Sequence, residues 1–403
     1  MTDPKGSGMG RVEFVMLCAM MVATVAFSID AMLPALPEIG AELSPGDLNR
    51  AQLILTSFVL GMGLGTALAG PLSDAFGRKP IILWGGALYI TGAAVAWYSN
   101  SLEWVLAARV AQGLGAAGPR VATVAVIRDF YAGREMAKLM SFIMIVFTLV
   151  PAFAPSMGAV IISGFGWRSI FAAFILFSVI SMVWMFVRLR EPLAVADRRP
   201  FQAALLLDAV KELFANPAVR VSIAVQTLIF GMLFSMLSSV QQIYDITFAR
   251  GDQFPLWFGG VALVSGTAGF LNAALVVHVG MRRLVSISLI SQVIISGCMV
   301  TVTLTDPPQS LLFAAFIFWQ FSLFFMMGMT IGNLNAIAME PMGHIAGMAA
   351  SVMGAVSTVL AAAIAAPLGL AFDGTPLPLS VGIFSLAIVA YGLMGALRRS
   401  EAA

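Results

Sequence analysis

Long apolar runs and short polar interruptions alternate along the chain from end to end. A helix that crosses a bilayer needs about 20 mainly apolar residues. Runs of that order cover residues 12–39, 49–72, 80–98, 103–130, 136–163, 167–189, 217–245, 254–279, 283–304, 309–338, 346–372 and 376–397. The pattern predicts an all-α membrane protein with twelve transmembrane helices, and it leaves no stretch long enough for a soluble domain. The first run, from Val12 to Ile39, is too long for the apolar core of a cleavable signal peptide and is followed by no small-residue cleavage site. It reads as a permanent helix.

The longest polar interruption, Arg188 to Asn216, separates six runs from six. The division predicts an N-terminal six-helix bundle over 1–189, a linker over 190–216 and a C-terminal six-helix bundle over 217–403. Within the linker, Phe201 to Phe214 reads as a short amphipathic helix with Lys211 and Glu212 on its wet side.

Composition agrees with the pattern. The 403 residues are 60% hydrophobic and 10% charged, against about 25% charged for a soluble domain. The net charge of +2 is uninformative, but its placement is not. With the N-terminus inside, the inner ends and loops carry Lys5, Arg11, Arg78, Lys79, Arg128, Arg134, Lys138, the basic residues from Arg188 to Arg199, Lys211, Arg220, Arg282, Arg283, Arg398 and Arg399. The outer side carries only Arg50, Arg168 and Arg250. This bias follows the positive-inside rule and places both termini in the cytoplasm. The amphipathic linker helix is then expected on the inner membrane surface. Cys18 and Cys298, the two cysteines, both fall inside apolar runs and suggest neither a disulfide nor a metal site.

One interruption is highly patterned: Gly70-Pro71-Leu72-Ser73-Asp74-Ala75-Phe76-Gly77-Arg78-Lys79-Pro80, between spans two and three. Gly70 and Gly77 allow a tight turn between antiparallel helices. Asp74 suits a helix N-terminus, where negative charge is favoured. Arg78 can pair with a carboxylate on a neighbouring helix, and Asp129 at the inner end of span four is the candidate. Such a cluster either locks one conformation of a moving protein or simply makes the turn. The loop from Val277 to Arg283, between spans eight and nine, repeats a glycine followed by a basic pair, which suggests duplication of the halves.

The Gly70–Lys79 run resembles the loop motif G-x-L-x-D-x-x-G-R-[RK] of the major facilitator superfamily. Three further segments resemble the Bcr/CflA-like branch of its drug:proton antiporters. They are Asp30 to Pro37 in span one, Arg109 to Ala117 in span four, and Ala154-Pro155-Ser156-Met157-Gly158 in span five, where Ala159 replaces the usual second glycine. The region from Asn335 to Ser351 also fits. The resemblance implies a major facilitator fold and proton-driven export of drug-like molecules. It also implies a multi-pass location in the bacterial cytoplasmic membrane, and a bend at Pro151, Pro155 and Gly158 that closes one side.

Of the 20 acidic residues, Asp30 alone falls well inside a span, about eight residues or roughly 12 Å from its outer end. An intramembrane carboxylate is costly and points to function. Arg109 lies at similar depth in span four, about 9 Å inside its outer end. Low dielectric favours the neutral form of a carboxyl and a nearby cation favours the charged form. A group balanced between them can take up a proton in one state and release it in another. Asp30 is therefore either the proton site or half of a fixed pair with Arg109.

Arg120 lies eleven residues after Arg109, within about 20° of the same helical face, with Gln112 and Ala116 close to it. The branch usually has a neutral residue there. Two cations on one face favour an anionic or electron-rich solute, unless Arg120 snorkels to the inner surface. Gln241 and Gln242 end span seven on faces about 100° apart, so one of them at most points inward. Trp319, with the Phe and Met residues after it, forms either an adaptable apolar wall or packing against lipid. The substrate-binding candidates are thus Arg120, Gln112, Gln241, Gln242 and Trp319, with Asp30 and Arg109 for proton coupling.

The leading expectation is a monomeric, proton-coupled exporter that exchanges a small-molecule substrate for protons across the lipid bilayer, with no cofactor, metal or nucleic acid. The alternative is a transporter of a specific anionic metabolite on the same scaffold. No phosphate-binding G-x-x-x-x-G-K-[ST] run occurs. A membrane receptor or enzyme lacks support, since no soluble domain or nucleophile–base set is present, and His278 and His344 make a poor metal pair.

Overall fold

The computed structural model describes residues 9–198 and 200–402. Lys5 and Arg199 lie outside them, as do the side chains of Arg398 and Arg399. Eleven stretches are long and apolar enough to cross a membrane. One of these, Gln309–Leu370, holds two helices parted at Glu340–Ile345, where Met342 leaves helical geometry (φ −110°, ψ 22°). Divided there, the stretch brings the spans to twelve among the described residues.

The helices are α1 (Arg11–Asp30), α2 (Leu36–Leu43), α3 (Leu53–Phe76), α4 (Arg78–Tyr98), α5 (Leu102–Phe130), α6 (Gly133–Phe165), α7 (Ser169–Arg188), α8 (Ala203–Ala215), α9 (Pro217–Gln242), α10 (Phe254–Ser265), α11 (Ala268–Val279), α12 (Met281–Leu304), α13 (Gln309–Met339), α14 (Ala346–Leu370) and α15 (Leu377–Ala402).

Span one is not one continuous helix. Pro34 has no N–H to give the Asp30 carbonyl, and the chain passes through a 3₁₀ turn, Leu33–Ala35, before α2 resumes. The break falls directly after Asp30. Span eight is likewise divided, between α10 and α11 at Gly266–Thr267. Span seven ends in a π-helical turn, Ile243–Thr247, an irregularity frequent at functional sites.

The chain divides into two compact units, residues 1–43 with 57–203, and residues 44–56 with 204–403. In the first, Phe14, Leu17, Cys18 and Met21 of α1 pack with Ile82 of α4, Val126 and Ile127 of α5, Ile143 of α6 and Met185 of α7. Glycine sets how closely α5 approaches its neighbours. A methyl group at Gly85 of α4 would lie 2.6 Å from the Gly115 carbonyl oxygen, and one at Gly113 would collide with the Phe58 backbone. Small residues at such crossings let helices pack backbone to backbone where no hydrophobic force separates protein from lipid.

In the second unit, α9 begins with Pro217, and Asn216 caps it through Ala218 N (3.0 Å) and Val219 N (3.3 Å). The linker helix α8 leaves Lys211 and Glu212 exposed and buries part of its apolar face on protein. Its Ala209 and Leu213 are buried, Leu213 within a cluster that includes Val219, Ile223 and Met342. Glu212 meets His344 at 2.7 Å. The inner part of its apolar face therefore seats on protein, whereas Leu207 is exposed.

Candidate functional site

The first unit contains a buried polar column across α1, α4 and α5. It starts at the C-terminal turn of α1, which Pro34 forces to end at Asp30. There the Ser28 hydroxyl donates to the Thr24 carbonyl (2.6 Å) and lies 2.5 Å from the Tyr89 hydroxyl of α4. Arg109 of α5, fully buried, donates Nη2 to the Ser28 carbonyl (3.0 Å) and Nη1 to Gln112 Oε1 (2.6 Å). Its guanidinium also stacks 4.3 Å from the Phe58 ring centroid and 6.0 Å from that of Phe174. A cation is favoured at a helix C-terminus, where carbonyls lack helical donors.

Asp30 sits at the same helix end and is 4% exposed. It makes no hydrogen bond or ion pair with a described residue. Arg109 thus meets the turn of α1 that carries Asp30, but it is held there by a backbone carbonyl, a glutamine and aromatic faces. Gln112 spends its Oε1 on Arg109, while its Nε2 is buried without a partner among the described residues. Gly158 of α6 lies against this break: a Cβ there would collide with the Ala31 carbonyl. Pro151 and Pro155 lie inside the same helix, and neither can donate to the carbonyl four residues before it. Arg120 lies on α5 between the column and the helix end, half-buried.

A second cluster joins α3, α4, α5 and the start of the linker. Gly77 takes φ +105° as the cap of α4, a backbone region that suits glycine. Arg78, only 4% exposed, donates to Asp129 (2.8 Å), to Ser73 Oγ (2.9 Å) and to Asp74. The carboxylate of Glu191 accepts from the backbone N–H groups of Arg78 (2.9 Å) and Lys79 (2.8 Å). Lys79 in turn donates to the Phe186 (2.6 Å) and Leu189 (2.9 Å) carbonyls at the end of α7. Charge thus complements both helix ends. Gly70 contributes its carbonyl to Ser73 (2.9 Å).

The second-unit candidates are placed differently. Trp319 is fully buried and donates to Ser296 (2.9 Å), which also accepts from Gln292 (3.1 Å). Gln242 donates to Asn49 (2.8 Å) and accepts from Gln52, which also accepts from Ser239 (3.2 Å). Asn49 donates to the Leu370 (3.1 Å) and Phe372 (2.8 Å) carbonyls. Gln241 is buried with its Oε1 unpartnered. Ser28, Tyr89, Phe58, Glu191 and Asn49 were not singled out in the sequence. For Glu191 a signal existed, an acidic residue among the basic ones that follow span six.

The model of the Major Facilitator Superfamily matches residues 16–367. The chain belongs to the major facilitator superfamily. It is a multi-pass membrane transporter of that superfamily and not an enzyme. Among its superfamily relatives, it is 29% identical over 349 residues to a bicyclomycin resistance protein homolog of Haemophilus influenzae, covering 85% of each chain. It is 25% identical to the multidrug resistance protein MdtL of Escherichia coli, covering 85% of this chain and 84% of that one. Both agree with the branch that the sequence motifs resemble. The crystal structure of a D-xylose–proton symporter has the same superfamily fold, with a TM-score of 0.74 at 15% identity, over 94% of this chain and 97% of that one.

Proposed function

We propose that this superfamily member is a proton-coupled exporter of small drug-like molecules, working by alternating access in the bacterial cytoplasmic membrane with both termini inside. The observation that carries the proton role is Asp30. It is a buried carboxyl at a helix break, unpaired among the described residues, on the same last turn of α1 whose Ser28 carbonyl takes Arg109. A carboxyl without a fixed counter-ion can exchange its proton with the site's state, whereas a locked ion pair cannot do so cheaply. Export rather than uptake rests on the resistance functions named for two relatives.

The bundles 1–189 and 217–403 serve as the moving bodies of a monomer, joined by the linker 190–216. The Arg78–Asp74–Asp129 cluster acts as the switch that holds one conformation. The test is a susceptibility screen in a bacterial strain stripped of its own exporters, with chloramphenicol among the antibiotics. Resistance that a proton uncoupler abolishes is the expected result. Resistance indifferent to the uncoupler, or none to any compound, would contradict the proposal.

A further inference from the structure

Arg120 is a cation without a counterpart. It occupies the middle of α5, half-buried, and makes no hydrogen bond or ion pair with a described residue. Other basic side chains of the first unit's helices hold a partner, as Arg78, Arg109 and Arg188 do, or stand exposed near a helix end, as Arg128 and Arg134 do.

Snorkelling does not resolve this. Arg120 precedes the nearer helix end, Phe130, by ten residues, about 15 Å of rise. Helical side chains tilt toward the N-terminus, which turns Arg120 away from that end. No side chain on its own face bonds to it either. Gln112 Oε1 is taken by Arg109, Ala116 has no polar atom, and the Thr123 hydroxyl points to Met21 Sδ at 3.7 Å. A cation this deep in a membrane span is costly unless water or a counter-charge meets it; Arg120 is half-buried, and no described side chain pairs with it.

We propose that the transported solute supplies the counter-charge: an organic anion whose carboxylate, sulfonate or phosphonate docks on Arg120. This deepens the transporter reading and rests on it. Only one of the two span-four arginines is available, because Arg109 is already committed to Ser28 and Gln112. The site therefore takes one anionic group rather than a doubly recognised dianion. At one proton in per monoanion out, each cycle moves two positive charges inward, so an inside-negative potential drives export in addition to the pH gradient.

The experiment is gradient-driven transport by the reconstituted full chain, with fluorescein and a naphthalene sulfonate as anionic probes, ethidium as cation and chloramphenicol as neutral reference. The wild type is expected to move the anions. Arg120→Gln is expected to lower the anion-to-chloramphenicol ratio of kcat/KM by about ten- to a hundredfold, the size of a lost charge-assisted contact, and Arg120→Lys to retain most of it. A wild type that moves chloramphenicol or ethidium but neither anion overturns the inference and spares the transporter reading. So does an unchanged ratio in Arg120→Gln, or a loss that follows the vesicles' anionic-lipid content and not solute charge. A wild type that moves none of the probes overturns the reading beneath it. If Arg120→Gln does not reconstitute, thermal stabilisation of the purified wild type by fluorescein and not by ethidium decides in favour, and the reverse decides against.

Discussion

Asp30 and Arg109 were legible in the sequence because charge inside an apolar run is rare enough to notice. Their relation was not. The partner Arg109 takes is a backbone carbonyl, and every residue carries one, so no residue type marks Ser28 as the acceptor. Tyr89 and Ser28 were equally hidden, since a neutral hydroxyl in a span breaks no pattern. The break at Asp30 had a signal in Pro34 and Pro37, which the length of the apolar run masked. Arg109 holds the end of α1 and the Gln112 side chain at once, and removing its charge leaves buried acceptors unpaired. Arg109→Gln is expected to lower stability by about 2–3 kcal/mol, read as thermal unfolding of the purified protein. A variant that unfolds with the wild type would show that these contacts do not hold the column.

At the scale of elements, hydrophobic run length located most of the helices. The divisions of spans one and eight and the π turn were not read, because apolar composition continues across them. Gly158 shows how one small residue couples two elements. It lets α6 press against the Ala31 carbonyl beside the Asp30 break. Gly158→Val is expected to cost about 1–3 kcal/mol through overpacking and to lower transport more than it lowers the amount of folded protein. Normal flux per folded molecule would sever α6 from the site. Glu191 couples the linker to α4 in the same local way, since its carboxylate satisfies two N–H groups of the first turn. Its sequence separation from Arg78 hid this contact. Glu191→Ala is expected to destabilise by about 0.5–2 kcal/mol, the usual worth of an N-cap. An unchanged unfolding temperature would show that water replaces the cap at no cost.

At the scale of the molecule, twelve spans and the family motif were plain from the chain, because membrane insertion imposes length and polarity with little freedom. The chemistry is unevenly divided. The first unit holds Asp30, Arg109 and Arg120, whereas in the second Trp319 and Gln242 are tied into internal networks. The orientation is testable in a background with Cys18 and Cys298 replaced by alanine. Asp47→Cys is expected to react with an impermeant maleimide in intact cells, and Ala194→Cys only after permeabilisation. The opposite pattern would invert the topology.

In the proposed mechanism, Asp30 carries the proton that drives transport. Its most direct test is chloramphenicol flux in proteoliposomes containing Asp30→Asn, measured as accumulation under an imposed pH gradient and as exchange without one. Gradient-driven accumulation is expected to be lost while exchange persists. Accumulation at the wild-type level in Asp30→Asn would contradict the mechanism.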